Sequence, residues 1–247
     1  MRKVALFSAA VLVCALGMSA VAFAIQGNQS ISVKTTNNRA GSTAKPRSVG
    51  NLTVTLDTQL VPGEPPWAAK HAVVHFDKNL VFNPRGFASC SVSQIRSDDS
   101  KCPSGSKVGS GTANATVFSG GAQFAQVAPT ITAYNGPRGP SGPRIFLLLT
   151  EPQFNVRDVM TGNLKSDTGS YGRKLDVTIP PKLQNAGLPG IVVSLTHFQT
   201  RVGGTRKGTP FVALKGCSGG KLAYKADVSF TDGTTKSGTS TSNCRRS

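Results

Sequence analysis

The chain has 247 residues, and its 28 Lys and Arg against 11 Asp and Glu give a formal net charge of +17 at pH 7. This excess of cations favours anionic partners such as wall polymers, acidic polysaccharides or lipid headgroups, or it simply keeps the protein in solution. Only three Tyr, one Trp and no recognisable reader motif argue against a nucleic-acid partner, while 27 Gly and 15 Pro disfavour long helices.

The N-terminus has the pattern of a bacterial-type signal peptide. Arg2 and Lys3 precede an apolar run over residues 4–17, and Ala22 and Ala24 supply the small residues before a cleavage site. The run is shorter than the roughly 20 apolar residues that a membrane span needs. We therefore expect cleavage after residue 24, which lowers the formal charge by two, to +15.

Cleavage would remove Cys14 and leave an even set of four cysteines, Cys90, Cys102, Cys217 and Cys244. In an exported chain such sets usually form disulfides. Three connectivities are possible, and we favour Cys90–Cys102 and Cys217–Cys244 because sequence neighbours are also neighbours in a β meander. A zinc site is disfavoured because zinc knuckles need much shorter spacings between cysteines.

The segment over residues 25–49 is polar and basic, with four cations and no acidic residue. It contains little that can be buried, so we expect a flexible basic arm. The rest of the chain, residues 50–247, is expected to form one β domain, with a possible sub-domain boundary near 135–143.

Alternation of apolar and polar residues dominates this domain and predicts β-strands. The clearest strand covers residues 222–230 and ends in Asp232-Gly233, a dipeptide that favours a hairpin turn before a returning strand to Cys244. Further predicted strands cover 52–57, 70–76, 107–118, 123–134, 144–150, 153–160, 172–179 and 190–199. Short helical turns are predicted at 91–98, capped by Ser91, and at 181–185.

Many short strands separated by Gly and Pro turns predict an all-β fold, specifically an antiparallel β-sandwich or jelly roll. The continuously apolar run over residues 145–149 indicates a central strand that is covered on both faces.

Two segments resemble a group of uncharacterised exported proteins that are common in actinobacteria. The first runs from Cys90-Ser-Val-Ser-Gln-Ile to Cys102-Pro-Ser-Gly-Ser-Lys-Val-Gly-Ser-Gly-Thr-Ala, and the second from Cys217 through Phe230-Thr-Asp-Gly to Cys244-Arg-Arg. The resemblance covers most of the expected mature chain. It implies that each cysteine pair brackets a structural unit, and it brings no known activity.

Several short motifs match catalytic or metal-binding patterns without the context that the chemistry needs. Residues 216–220 match Gly-x-Ser-x-Gly, but a strand follows and no histidine lies downstream, so we expect a turn beside a disulfide. Ser104 and Lys107 match Ser-x-x-Lys in a predicted loop rather than on a helix. His71 and His75 share a face of a strand about 13 Å apart, too far for one metal ion.

The segment over residues 203–209 is a basic glycine loop that we predict to be a hairpin tip. It is also the segment that most suggests a bound anion, because Arg201, Arg206 and Lys207 lie close together in the sequence. These three residues are the predicted ligand-binding set, and no catalytic residue, metal or cofactor is predicted.

The leading functional hypothesis is an exported, non-enzymatic β protein at the cell envelope or outside the cell that binds an anionic wall polymer or polysaccharide. An alternative is a wall- or polysaccharide-acting hydrolase that uses Glu151 with Asp158 or Asp176, since glycoside hydrolysis needs two carboxyl groups. Another is a self-assembling subunit whose exposed strand edges pair between chains.

Overall fold

The computed structural model describes residues 26–63 and 66–246, so the predicted signal peptide lies outside the described residues. The strands are β1 Gln26–Thr35, β2 Arg39–Ala40, β3 Arg47–Ser48, β4 Asn51–Leu60, β5 Ala69–Asp77, β6 Leu80–Phe82, β7 Lys107–Ser119, β8 Ala122–Val127, β9 Thr130–Gly139, β10 Gly142–Glu151, β11 Val156–Ser166, β12 Tyr171–Thr178, β13 Ile191–Gly203, β14 Thr205–Arg206, β15 Thr209–Pro210, β16 Val212–Leu214, β17 Lys221–Phe230, β18 Thr235–Asn243 and β19 Arg245–Arg246. The helices are α1 Val92–Asp98 and α2 Pro181–Asn185.

Twelve strands form one sheet in the order β1-β4-β13-β7-β9-β10-β11-β12-β5-β17-β18, with β8 paired to β7. The strand pairs of this sheet are antiparallel, so the predicted all-β antiparallel fold is confirmed. No helix among the described residues is long and apolar enough to cross a membrane.

Burial follows the sequence pattern in two strands, one recognised by its alternation and the other by its continuous apolar run. In β17, Leu222, Tyr224, Ala226, Val228 and Phe230 are buried and their neighbours are partly or fully exposed. In β10, residues 145–148 are all buried, which places this strand in the middle of the sheet with both faces covered.

The sheet curves back on itself until its first strand lies against its last. Residues of β4 and β13 face residues of β5, β10, β11 and β12 across one apolar interior. Where β18 meets β1, a Cβ atom at Gly238 would lie 2.7 Å from the carbonyl oxygen of Gln29. The absence of a side chain at Gly238 therefore allows the close approach of the two end strands.

The prediction of a flexible arm over residues 25–49 is wrong. The first ten described residues form β1, which pairs along β4 and buries Ile31 and Val33 in the main core. This strand has few apolar residues, so its alternation is hard to recognise in the sequence. Its burial comes from partners that are close only in the folded chain.

Two further expectations are corrected by the strand pairing. The predicted strand over 123–134 is split into β8 and β9 at Ala128 and Pro129, where proline lacks the N–H that a central strand must donate. The possible boundary near 135–143 lies within the β9–β10 hairpin, and both of its strands belong to the main sheet.

Both favoured disulfides form. Cys90 and Cys102 bracket α1, and Cys217 is joined to Cys244 across the β17–β18 hairpin. As predicted, Ser91 caps α1, where it accepts a hydrogen bond from the backbone N–H of Gln94. The helix buries Ile95 in a second, smaller core on the outer face of β9, β10 and β11.

The two ends of the sheet are covered differently. At the end where β9 joins β10, strands β3, β16 and β6 form a small sheet that closes the interior. Phe211, Val212 and Leu214 of this closure are fully buried. At the other end, where β10 joins β11, the interior is covered by α2 and its flanking loops. We call the end closed by the small sheet the basic end and the end covered by α2 the apolar end.

Candidate ligand-binding cleft

The sequence-predicted ligand-binding residues do not form one pocket. Arg201 is exposed on β13, where its neighbours on the adjacent strands are Thr53 and Ser110. Arg206 and Lys207 lie on the hairpin formed by β14 and β15, as predicted. The Arg206 guanidinium lies over Gly105, where an added Cβ would be 1.7 Å from its Cζ, so this residue packs against the protein.

A larger cleft lies next to that hairpin, with a volume of about 740 Å³. We call it the basic cleft because four of its side chains are cations and none is acidic. The turn before α1, the β9–β10 hairpin, the β11–β12 turn and β15 contribute its lining: Phe82, Asn83, Pro84, Arg85, Gly86, Arg138, Ser141, Gly142, Pro143, Leu164, Lys165, Ser166, Arg173 and Thr209.

Three of these cations are without an acidic partner among the described residues, and two of the three also make no side-chain hydrogen bond there. Arg85 and Arg138 are exposed, and within 26–63 and 66–246 neither makes an ion pair. The Lys165 ammonium donates to Asp176 at 2.7 Å, and the Arg173 guanidinium donates to the Ser166 hydroxyl at 3.1 Å. Arg85 and Arg138 are therefore the cations that no contact restrains, and Arg173 also keeps a charge that no acidic residue offsets.

Asn135 holds the turn that carries Arg85. It is 2% exposed, and its amide nitrogen lies 3.0, 3.2 and 3.1 Å from the carbonyl oxygens of Pro84, Phe87 and Ala88. One buried side chain on β9 thus fixes a loop that contains no regular strand. Arg85 gains a defined position because its backbone is held, although its side chain is exposed.

The hairpin that carries Arg138 is held from behind by Arg144. The Arg144 Nε donates to the carbonyl oxygen of Pro137 at 2.8 Å, and its guanidinium lies 5.3 Å from the centre of the Phe146 ring. Such a cation–aromatic contact is favourable because the ring face carries partial negative charge. Arg144 therefore supports the hairpin, while Arg138 extends from it into the cleft.

The carboxylates nearest the basic cleft are engaged with partners on the sheet. Asp167 follows the cleft residue Ser166, and its carboxylate lies 2.6 Å from Nδ1 of His75. Partial burial raises the pKa of Asp167, but the hydrogen bond to His75 and the charges nearby outweigh burial and hold the pKa below its ordinary value of 3.8. Asp167 is therefore ionised at neutral pH, and its carboxylate is paired with His75 on β5 and not with a cation of the cleft.

The acids considered for a hydrolase lie in different surroundings. Glu151 is buried at the apolar end and accepts a hydrogen bond from the backbone N–H of Gln153. Asp158 is ion-paired with Arg96 at 3.1 Å. Asp176 is bound by Lys165 and by His71. Burial raises the pKa of Asp176, but these two partners outweigh it and lower the pKa below 3.8.

Each of the three histidines pairs with aspartate. Nε2 of His71 lies 2.8 Å from Asp176, and Nδ1 of His197 lies 2.6 Å from Asp57. His75 lies between Asp167 and Asp227. In the part of the chain that the structure describes, no group of three or more His, Cys, Asp or Glu is arranged to hold a metal ion.

The sequence reasoning missed all four cations of the basic cleft, because each one alone is an ordinary surface residue. A usable signal was present, since Arg138 lies between the predicted strands 123–134 and 144–150, and Lys165 and Arg173 lie close to the break between 153–160 and 172–179. Recognising it requires the strand order, which brings those turns to one end of the sheet. Comparison with protein-family models and with curated proteins found no match.

Proposed function

We propose that this protein is an exported, non-enzymatic binding protein that holds an anionic polymer, an acidic polysaccharide or a wall polymer, in its basic cleft. The observation that carries the proposal is the convergence of four cations and no acid on one cleft, with Arg85 and Arg138 unpaired among the described residues. Export is supported by the two disulfides, which persist in oxidising surroundings outside the cytoplasm.

The chemistry of the cleft suits carboxylate, sulfate or phosphate groups. A guanidinium presents donors in a planar fork that matches these anions in a two-point geometry, and three of the four cations are Arg. Ser141, Ser166 and Thr209 add hydroxyl groups to the same lining. The cleft is bounded by turns rather than enclosed, so a polymer can lie along it and continue into solvent.

The physical consequence of such a site is strong dependence on salt. Exposed charges are screened within about 10 Å at ~0.1 M ionic strength, and a polyanion releases counterions when cations bind it. Retention on a polyanion column such as dextran sulfate should therefore fall steeply as salt is raised. Retention that does not change with salt, or none at low salt, would contradict the proposal.

The cleft is tested by charge reversal with a matched control. The variant R85E/R138E and the control R201E/K207E change the net charge by the same amount, and all four residues are exposed. We expect R85E/R138E to lose most of its retention on dextran sulfate and on isolated cell wall, and the control to lose much less. Equal losses would mean that net charge, and not the basic cleft, controls binding.

A further inference from the structure

A second cavity lies at the apolar end, between α2 and the interior of the sheet. Its volume, measured as the space that the centre of a water-sized group can occupy, is about 100 Å³. Its wall is formed almost entirely by apolar side chains: Ala69, Ala115, Val117, Val127, Pro129, Leu149, Glu151, Phe154, Val156, Met160, Ile179, Lys182, Leu183, Ala186, Val193, Leu195 and Phe198. We call this the apolar cavity.

The apolar cavity continues towards the middle of the molecule. A second space of about 70 Å³ adjoins it and shares the lining residues Met160, Ile179, Leu195 and Phe198. Each water-sized group needs roughly 10–15 Å³ of such volume, so the two spaces hold on the order of ten small groups. Apolar cavities of this size stay dry and accept apolar ligands, as engineered cavities of about 150 Å³ do.

The outer space lies beside α2 and the inner one among β4, β5 and β12, so the two together favour an elongated ligand over a compact one. The four shared side chains form the boundary between them. Met160 is unbranched and flexible, so it can move aside without opening the sheet. A narrow chain can therefore pass from the mouth towards the inner space.

The surface around the mouth is apolar as well. The large hydrophobic residues that are exposed among the described residues are Val61, Phe124, Phe154 and Leu188, and each lies in β8 or in a connection at the apolar end. The rings of Phe124 and Phe154 lie 6.5 Å apart, and Phe154 lines the cavity itself. The Phe124 and Phe154 rings therefore form an exposed apolar surface beside the cavity that a ligand can contact.

Only two charged residues line the apolar cavity, Glu151 and Lys182. Within the described ranges neither is ion-paired, and the Glu151 carboxylate accepts from a backbone N–H at 3.0 Å. A ligand site of this kind is mainly apolar, with a few polar groups that orient the ligand. Here those groups can contact the polar head of a ligand whose chain lies inside.

From these observations we infer that the apolar cavity binds the unbranched alkyl or acyl chain of an amphiphile, with the chain inside and the polar head near Glu151 and Lys182. Leu183 and Ala186 of the α2 segment cover the chain from one side. The inference concerns a different end of the molecule from the basic cleft and does not depend on it.

The first test uses the unmodified mature protein and straight-chain alcohols from hexanol to dodecanol, measured by displacement of the fluorophore 1-aminoanthracene. Each methylene that leaves water should tighten binding about fourfold. The increase should stop at the chain length that the two spaces accommodate. No binding, or an increase that continues through the whole series as for partition onto an apolar surface, would overturn the inference.

The affinities of laurate and dodecylamine, compared with that of dodecanol, show which polar head group the site prefers. Tighter binding of laurate would place its carboxylate near Lys182, and tighter binding of dodecylamine would place its ammonium near Glu151. Either preference, or equal binding of all three, agrees with a site for the chain. Failure of all three to displace the fluorophore would contradict it.

The second test fills the cavity. Ala115 is buried in its wall, and A115F should weaken dodecanol binding at least tenfold. The control T112F places the same ring on the exposed face of the same strand and should bind as the unmodified protein does. Both variants should keep the circular dichroism spectrum and a cooperative urea unfolding transition like those of the unmodified protein, which shows that A115F is folded. Unchanged dodecanol binding by a folded A115F would rule out this cavity as the site.

Discussion

The basic end and the apolar end are built by the same strands and differ in what fills the space between them. At the basic end, Phe211 and its neighbours in the small sheet pack without exposure, and the Phe211 ring meets the Phe87 ring edge to face at 5.0 Å. At the apolar end, small side chains such as Ala115 and Val117 leave space that α2 covers without filling. One end is a closed core, and the other is an apolar cavity.

The unpaired cations and the empty apolar space lie at opposite ends of the sheet. The basic cleft lies outside the closed core, and Arg85 and Arg138 lie on turns whose backbones are hydrogen-bonded to residues of β9 and β10. The apolar cavity has the exposed Phe154 ring in its lining with Phe124 beside it, and its charged lining residues are Glu151 and Lys182.

Strand β10 runs from one site to the other, and its ten residues span about 30 Å at ~3.3 Å per residue. The sites are therefore too far apart to compete for one small ligand. A single curved sheet can thus be closely packed at one end and leave room for a ligand at the other.

The largest expected effect is on the free energy of unfolding, when one apolar side chain at each end is truncated to alanine. F211A removes a fully buried ring from the closed core and should lower the free energy of unfolding by about 3–5 kcal/mol. L183A removes a partly buried side chain beside an existing cavity and should cost about 1 kcal/mol or less. Urea unfolding measures both, and equal losses would show that the two ends are packed alike.

An intermediate effect is expected at Asn135, which holds the Arg85 turn. N135A removes the amide that contacts three carbonyl groups and should lower the free energy of unfolding by about 1–3 kcal/mol. Because Arg85 loses its fixed position, retention on dextran sulfate should also weaken, while dodecanol binding at the other end should stay unchanged. If retention is unaffected, the position of Arg85 does not matter for the basic cleft.

Local features of the fold could be predicted from the sequence because they depend on neighbours along the chain. The alternation in β17, the turn at Asp232-Gly233, the Ser91 cap and both disulfides each depend on a short stretch or on residues within one hairpin. In these places the same residues that carry the sequence signal also make the structural contact.

The features that could not be predicted depend on pairing between distant strands. Strand β5 lies between β12 and β17, and β13 lies between β4 and β7, so the turns of remote segments meet at each end of the sheet. Arg85 and Arg173 become neighbours of one cleft only through that order. The apolar cavity depends in addition on the size of side chains that face each other across the interior, which alternation does not encode.

The smallest expected effect is a loss of folding stability at acid pH. It tests whether the carboxylates near the basic cleft are held by hydrogen bonds and ion pairs. Asp167 and Asp227 both contact His75, and Asp176 contacts His71 and Lys165. In each case burial raises the pKa, but the hydrogen bonds and cations prevail, so the folded protein has pKa values below the ordinary 3.8.

A carboxyl whose pKa is lower in the folded protein stabilises the fold above pH 3.8, and this contribution is lost as the pH falls through the folded pKa. Because these groups are partly exposed, solvent screens them and we expect a loss on the order of 1 kcal/mol between pH 5 and pH 3 at constant ionic strength. Replacing His75 by Phe removes partners of two of the carboxylates, so H75F should lose less stability over the same range. If H75F and the unmodified protein lose stability equally on acidification, these carboxylates are not held by His75.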